Sequence, residues 1–398
     1  VESAVRAPQP ALAVIATRRP LLRGPDAERA LDVAALVFEA SCAQLDASPA
    51  PPESIARYGG AALVAEALAR AGRVDPAWVS ALLRSAFVFA RDRIELYHGA
   101  AGLLVVLGAL DPDRTSLAAA RTTLCALLAK SLEDAPTGDP GVPASFDLIR
   151  GVAGRAIALG AATNGALEST TANALRAWAH AFADAVERRL AAGDALNLGV
   201  SHGLPGVLAA LNVALPGDRD LSGRYVRAIV GASHGAGGAR RWDALWHPGR
   251  RPSARRAWCY QTAGVAAVLD DRARLDGDEA LRALAADALA AILDDPEPEE
   301  WGWDAALCHG RGGVAALAWR FAARDARFTP HAERLALGVL DEFDPSAPFG
   351  YRSWNARDRL GEDRYGFLEG ALGVAQFLVD AATAQERRWL PLFGLLPD

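Results

Sequence analysis

Methionine is absent from this 398-residue chain, and Lys130 is the only lysine among 42 basic residues. No cluster of basic residues stands out. The net charge of −6 and a pI near 5.7 argue against nucleic acid or an anionic membrane as partner. Long apolar runs are missing too: nothing approaches the ~18 uncharged residues that a membrane helix needs. The first residues, Val1 to Gly24, lack the charged head and apolar stretch of a targeting signal. These absences predict a soluble, cytoplasmic protein with no integral membrane segment. Cysteine is scarce, with four residues at 42, 125, 259 and 308. That is too few for a disulfide scaffold, so a cysteine pair that matters points to metal binding or catalysis.

What is present is apolar and helical. Hydrophobic residues make up 51% of the chain and charged residues 23%, which excludes intrinsic disorder. Asp26–Leu45, Ser169–Gly193 and Asp276–Asp295 carry apolar residues at three- and four-residue spacing and open on Asp or Ser. Alternating strand patterns are hard to find. Breaks rich in Pro and Gly recur regularly along the chain, as at Pro136–Pro143 and Gly235–Pro252, instead of forming one linker.

A repeat accounts for that regularity. A polar residue, Gly-x-x-Gly and an apolar run recur as YHGAAGLLVVL from Tyr97, LIRGVAGRAIAL from Leu148 and VSHGLPGVLAAL from Val200. They recur again as LCHGRGGVAALA from Leu307 and FLEGALGVAQFL from Phe367. Two weaker copies begin at Arg57, where the second glycine is missing, and at Trp258, where Gln261 replaces the first. The slot before the first glycine holds His98, Arg150, His202, Tyr260, His309 and Glu369, at intervals of about 50–60 residues. Each interval holds two helices. Seven such units predict an all-α fold: a closed α/α toroid, a double-layered barrel whose apolar runs form the inner layer. We read a single domain over 1–398, with N-terminal outer helices in 1–56, repeats over 57–379 and a tail over 380–398.

Equivalent slots of a closed ring converge at one end. Repeats four to six therefore bring together His202, Cys259, Cys308 and His309. Two thiols and an imidazole make a Cys2His zinc set whose fourth position stays open, the catalytic form of zinc site. The bland account of each cysteine is a small buried hydrophobe; the matched slots and His309 override it. Cys42 and Cys125 lie in apolar helical runs and read as buried thiols. His98 and Glu369 occupy slots on units read as distant from the trio and line the mouth. His234, His247, Trp242 and Trp246 flank a loop that either folds over the mouth or is ordinary surface. Gly235–Gly238 has no strand before it and no Lys-Ser/Thr after it, which excludes a phosphate loop.

The strings NLGVSHGLPGV, RRAWCYQTAGV, LCHGRGGV and GFLEGALGV resemble the signature motifs of the LanC lanthipeptide cyclases, from about Arg57 to Val379. The resemblance implies a seven-repeat toroid with one Zn2+ held by Cys259, Cys308 and His309. It makes His202 the catalytic histidine and implicates Asp147, Arg255, Trp258 and Tyr260. Two positions depart from the family pattern: Gln261 stands where glycine is usual, and Ala263 where proline is common. The implied reaction adds a peptide cysteine thiol to dehydroalanine or dehydrobutyrine, making a thioether ring. A free thiol has a pKa of ~8.5, and coordination to zinc would ionise it. His202 is then the proton donor to the enolate, or else only a mouth-lining residue. Asp147 orients that histidine or caps a helix near Gly151. Arg255 stabilises enolate charge or is solvated. Trp258 walls the pocket or packs in the core, and Tyr260 lines the pocket.

The implied partners are a dehydrated precursor peptide with its leader, a separate dehydratase and a transporter. Only Val1–Ala56 precedes the first repeat, so a dehydratase region is expected on another chain. Two other readings compete: a LanC-like enzyme that adds glutathione to dehydroamino acids, and a non-catalytic scaffold that binds leader peptides.

Overall fold

In a computed structural model, residues 19–45, 55–90, 93–111, 113, 115–235, 240–247, 256–295, 304–355 and 360–397 are described. Each apolar run becomes an inner helix: α2 (Gly60–Arg70), α4 (Ala100–Leu110), α7 (Val152–Thr163), α9 (Leu204–Ala214), α11 (Thr262–Asp276), α13 (Arg311–Ala322) and α15 (Ala371–Thr383). A helix such as α9, LPGVLAALNVA, is apolar on every side, and it is stable because every side is buried. The amphipathic segments form the outer layer: α1 (Pro25–Leu45), α3 (Ala77–Ala90), α5 (Ala118–Glu133), α8 (Ser169–Ala192), α10 (Arg219–Gly231), α12 (Glu279–Asp294) and α14 (Thr329–Asp341). On α8 the buried residues Leu175, Trp178, Ala179, Phe182 and Val186 follow the helical period, with charge facing outward. Each inner helix touches the next, and α15 touches α2, which closes the ring. A short helix, α6 (Pro143–Phe146), precedes the third repeat.

Both glycines of the repeat are explained by close approach. A Cβ on the second would sit 1.9 Å from the carbonyl oxygen six residues earlier, as at Gly264 with Trp258 and Gly313 with Leu307. A Cβ on the first would strike the preceding loop, 2.2 Å from Asp147 N at Gly151. The loop can therefore fold tightly under each helix start. Those loops are stitched into a chain across the mouth: Leu148 N bonds Ser201 O, Ser201 N bonds Cys259 O, Cys259 N bonds Cys308 O and Cys308 N bonds Leu368 O, at 2.9–3.1 Å.

Three features differ from the sequence reading. The helix read from Asp276 starts three residues later, at Glu279: α11 ends at Asp276, Gly277 turns with φ +67, and Asp278 caps α12 by accepting from Leu281 N. Cys125 is half-buried on α5, while Cys42 is buried on α1 as expected. The C-terminal residues are not a free tail. Leu390, Leu392, Phe393 and Leu395 are buried, and the turn Leu390–Phe393 packs on α4 and α7. Tyr97 Oη donates to Leu392 O, Trp258 Nε1 to Phe393 O and Arg387 to Ala316 O, while Leu396 N bonds Asp271. Contacts with α4, α7, α11 and α13 or their leading loops place this segment inside the ring, as an axial plug.

Strand is minimal. Leu196–Asn197 (β1) pairs with Leu245–Trp246 (β2), and Ser353–Asn355 (β3) with Leu360–Glu362 (β4), both antiparallel. β1 leads into the fourth repeat and the β3–β4 hairpin into the seventh. Among the described residues, no helix is long and apolar enough to cross a membrane.

Candidate metal centre

The loop before α11 carries Cys259, and the loop before α13 carries Cys308 and His309. Backbone bonding between these loops sets their side chains together: one ligand atom from each lies within 4.8 Å of the other two. Both cysteines are buried, and His309 is half-buried. Tetrahedral zinc, with Zn–S near 2.3 Å and Zn–N near 2.0–2.1 Å, needs ligand atoms roughly 3.5–3.8 Å apart.

The electrostatics favour a dication. Contact with the Cys259 sulfur, then burial, then the carboxylates of Glu369 and Asp304 push the Cys308 thiol up. Burial works against a charged His309, but Asp304 and Cys259 outweigh it and hold its pKa at about 10. Protons thus sit on groups that a metal would otherwise occupy. Zn2+ fits this donor set, because it supplies in one step the positive charge that the crowded sulfurs lack.

Beside the trio, His202 Nδ1 lies 2.6 Å from Asp147 Oδ2. An ionised carboxylate only accepts, so Nδ1 carries the hydrogen and Nε2 is left for chemistry. Asp147 is buried, whereas the His202 side chain is 36% exposed and open to the mouth. The other oxygen, Asp147 Oδ1, accepts from Arg150 N at 2.7 Å and Gly151 N at 3.0 Å. Asp147 therefore both caps the loop and holds the imidazole.

Tyr260 is half-buried, with its ring 6.0 Å from that of His202. Burial raises its pKa, opposed by hydrogen bonds to Asn197 and Ser201. Trp258 is 1% exposed and packs against Phe393, so it lies in the core behind Cys259 and does not wall an open pocket. Arg255 lies outside the described residues. The loop of His234 and Trp242 is tied down: His234 bridges Arg241, and Trp242 is buried with its N–H on Ile229 O. Glu369 requires a correction. Its unit adjoins that of Cys308 through the Leu368 carbonyl, so its charge acts on the Cys308 thiol while its carboxylate pairs with Arg364.

Sequence reasoning missed two supporting residues. Asn197 opens the string NLGVSHG, and its Oδ1 accepts from Gly199 N at 2.9 Å. Asp304 lies before the sixth copy, with Oδ1 accepting from Ala306 N at 3.0 Å and Oδ2 from Trp354 N at 2.7 Å. Nothing in the repeat marked it.

A closed ring of seven helix pairs places this chain among the α/α toroids, with two thiols, an imidazole and a histidine–carboxylate pair at one mouth where a metal ion could be held. A family model described as lanthionine synthetase C-like protein matches residues 58–393, and the chain belongs to that family. Among solved structures, nisin cyclase aligns with a TM-score of 0.60 at 16% identity, covering 84% of this chain and 91% of its own. Comparison with curated protein sequences finds no match. At that identity the likeness to nisin cyclase establishes the fold.

Proposed function

We propose that this protein is a zinc-dependent lanthipeptide cyclase, closing thioether rings in a dehydrated precursor peptide. The observation that carries this reading is the convergence of Cys259, Cys308 and His309 beside the His202–Asp147 pair. Cys259, Cys308 and His309 would hold the zinc, which when bound supplies the charge that ionises a substrate thiol at neutral pH. A set with two thiolates keeps a sulfur nucleophile electron-rich. A hydrolase site more naturally uses nitrogen and oxygen ligands to acidify water.

The reaction balances without a redox partner. The substrate thiol gives up its proton, its sulfur bonds to the β-carbon of the dehydro residue, the π electrons move onto the α-carbon and carbonyl, and one proton is returned to the α-carbon, so that S–H and the π bond are exchanged for C–S and Cα–H. With Nδ1–H held by Asp147, His202 Nε2 would take up the thiol proton and hand it to the α-carbon. Arg255, by its place in the motif, is assigned to the enolate oxygen. Tyr260 borders the His202 ring and shapes the space beside it.

The test incubates purified protein with a dehydrated precursor, with and without glutathione, and counts free thiols by alkylation and mass spectrometry. Loss of thiols without added mass supports the reading. Persisting peptide thiols with glutathione adducts would make it a glutathione-adding enzyme. No change, with peptide bound, would make it a scaffold. A precursor with its leader peptide, a dehydratase and a transporter are the partners this reading implies, at a cytoplasmic site.

A further inference from the structure

The buried carboxylate of Asp304 is not used by the mechanism above, yet it touches three separate elements. Its side chain accepts from Ala306 N in its own loop and from Trp354 N on β3. Its Oδ2 also lies 3.3 Å from His309 Nε2, a charge contact short of hydrogen-bond alignment. That nitrogen is buried, with no hydrogen-bond partner among the described residues. Gly310 makes room for the arrangement, since a Cβ there would lie 2.2 Å from Asp304 Oδ1.

We propose that Asp304 is a positioning residue for the metal: it takes Nε2–H of His309, commits Nδ1 to the ion, and fastens the β3–β4 hairpin to the same centre. This rests on the reading of Cys259, Cys308 and His309 as a zinc set. The donors and acceptors present decide the tautomer. A neutral imidazole carries one N–H, and a carboxylate can only accept, so the nitrogen facing Asp304 is the protonated one. The lone pair then sits on Nδ1, the side left for the two sulfurs. Asp304 itself is 4% exposed, and a charge so buried demands partners. Two backbone N–H groups and the imidazole supply them. A carboxylate behind a ligating histidine raises its basicity and fixes its ring, and losing one typically weakens metal binding 10–100-fold.

The competing account is that Asp304 merely anchors the hairpin, and two variants separate them. Asp304→Asn removes the anionic acceptor. Trp354→Pro removes the hairpin N–H but keeps the carboxylate. Zinc affinity is measured by competition with a chromogenic chelator, with melting of the metal-free proteins as a control. Wild type must first bind one zinc; if it binds none, the metal reading itself fails. With zinc bound, we expect Asp304→Asn to weaken affinity about 10–100-fold. Trp354→Pro should stay within about threefold of wild type, on the same reasoning that only the carboxylate faces His309. Equal affinity for Asp304→Asn and wild type overturns the proposal, as does an equal loss in both variants. Should Trp354→Pro not fold, Co2+ absorption of Asp304→Asn decides: ligand-field bands identical to wild type overturn it.

Discussion

Gln261 is the one first-glycine position in the described repeats that holds a side chain, and it should be a point of stored strain. Its backbone has φ +75 and ψ −166, a region that is essentially glycine's alone. The cause is visible in its neighbours. Gly99, Gly151, Gly203, Gly310 and Gly370 hold φ between −152 and −91, where an added Cβ would meet the preceding loop at 2.2–2.5 Å. A glutamine cannot occupy that conformation, so the backbone turns over instead. Such a residue costs about 1–3 kcal/mol. Its side chain is buried, and Oε1 has no hydrogen-bond partner among the described residues, a further cost of about 1–3 kcal/mol.

Gln261→Gly removes both costs. Against it stand about 0.5–1 kcal/mol of backbone entropy and about 1.6 kcal/mol for two buried methylenes. The midpoint of these ranges is a net stabilisation of about 1–2 kcal/mol. For a chain of this size the unfolding entropy is about 0.8 kcal/mol per degree, so the melting temperature should rise by only about 1–2 °C. Differential scanning calorimetry resolves that shift. Gln261→Ala separates the two costs, because it loses the amide but keeps the strained backbone; it should melt below the glycine variant. A glycine variant destabilised by about 1 kcal/mol or more, or an alanine variant equal to it, would refute the reasoning.

Three other outcomes follow from the site and the core. Asp147→Asn should leave zinc content unchanged but slow ring closure about 10²–10⁴-fold, since the amide no longer fixes the His202 tautomer; unchanged single-turnover rates would reject the role. Zinc affinity should rise with pH. The His309 pKa of about 10 stands above its unfolded value of ~6.5, so the proton stabilises the metal-free fold below pH ~6.5, and that contribution is lost as pH rises through 10. Zinc must displace that proton and those of the thiols, so log Kd should fall by at least about one per pH unit between pH 7 and 9; a flat profile contradicts it. Phe393→Ala should destabilise by about 3–5 kcal/mol in denaturant titrations, because the ring is fully buried between Trp258 and Trp389. A cost below 1 kcal/mol would mean the plug does not hold the ring together.

Much of the fold was legible because steric exclusion writes itself into sequence. Two glycines per repeat are forced by backbone contacts under each helix start, so the copies stayed recognisable where side chains diverged. The plug was not legible: LPLFGLLPD is too short for any period, and its burial depends on helices far away in sequence. Asp304 was missed for a related reason, since its partner Trp354 N lies 50 residues on. Glu369 was placed too far from the thiols because counting along the chain hides that the sixth and seventh units are neighbours in the ring.

The site itself shows what the register does and does not determine. Ser201, Cys259 and Cys308 occupy one register and share one backbone pattern, each N–H bonding the carbonyl of the next loop. Ser201 Oγ turns to Cys259 O at 3.2 Å, while Cys259 and Cys308 bring their sulfurs to His309. The scaffold presents a hydroxyl in the fourth repeat as readily as a thiol in the fifth and sixth. Placement therefore belongs to the ring, and the donor atoms that could hold a metal to the three side chains. A reader of the sequence can find the mouth from glycines alone, but only Cys259, Cys308 and His309 say which part of it a soft dication would choose.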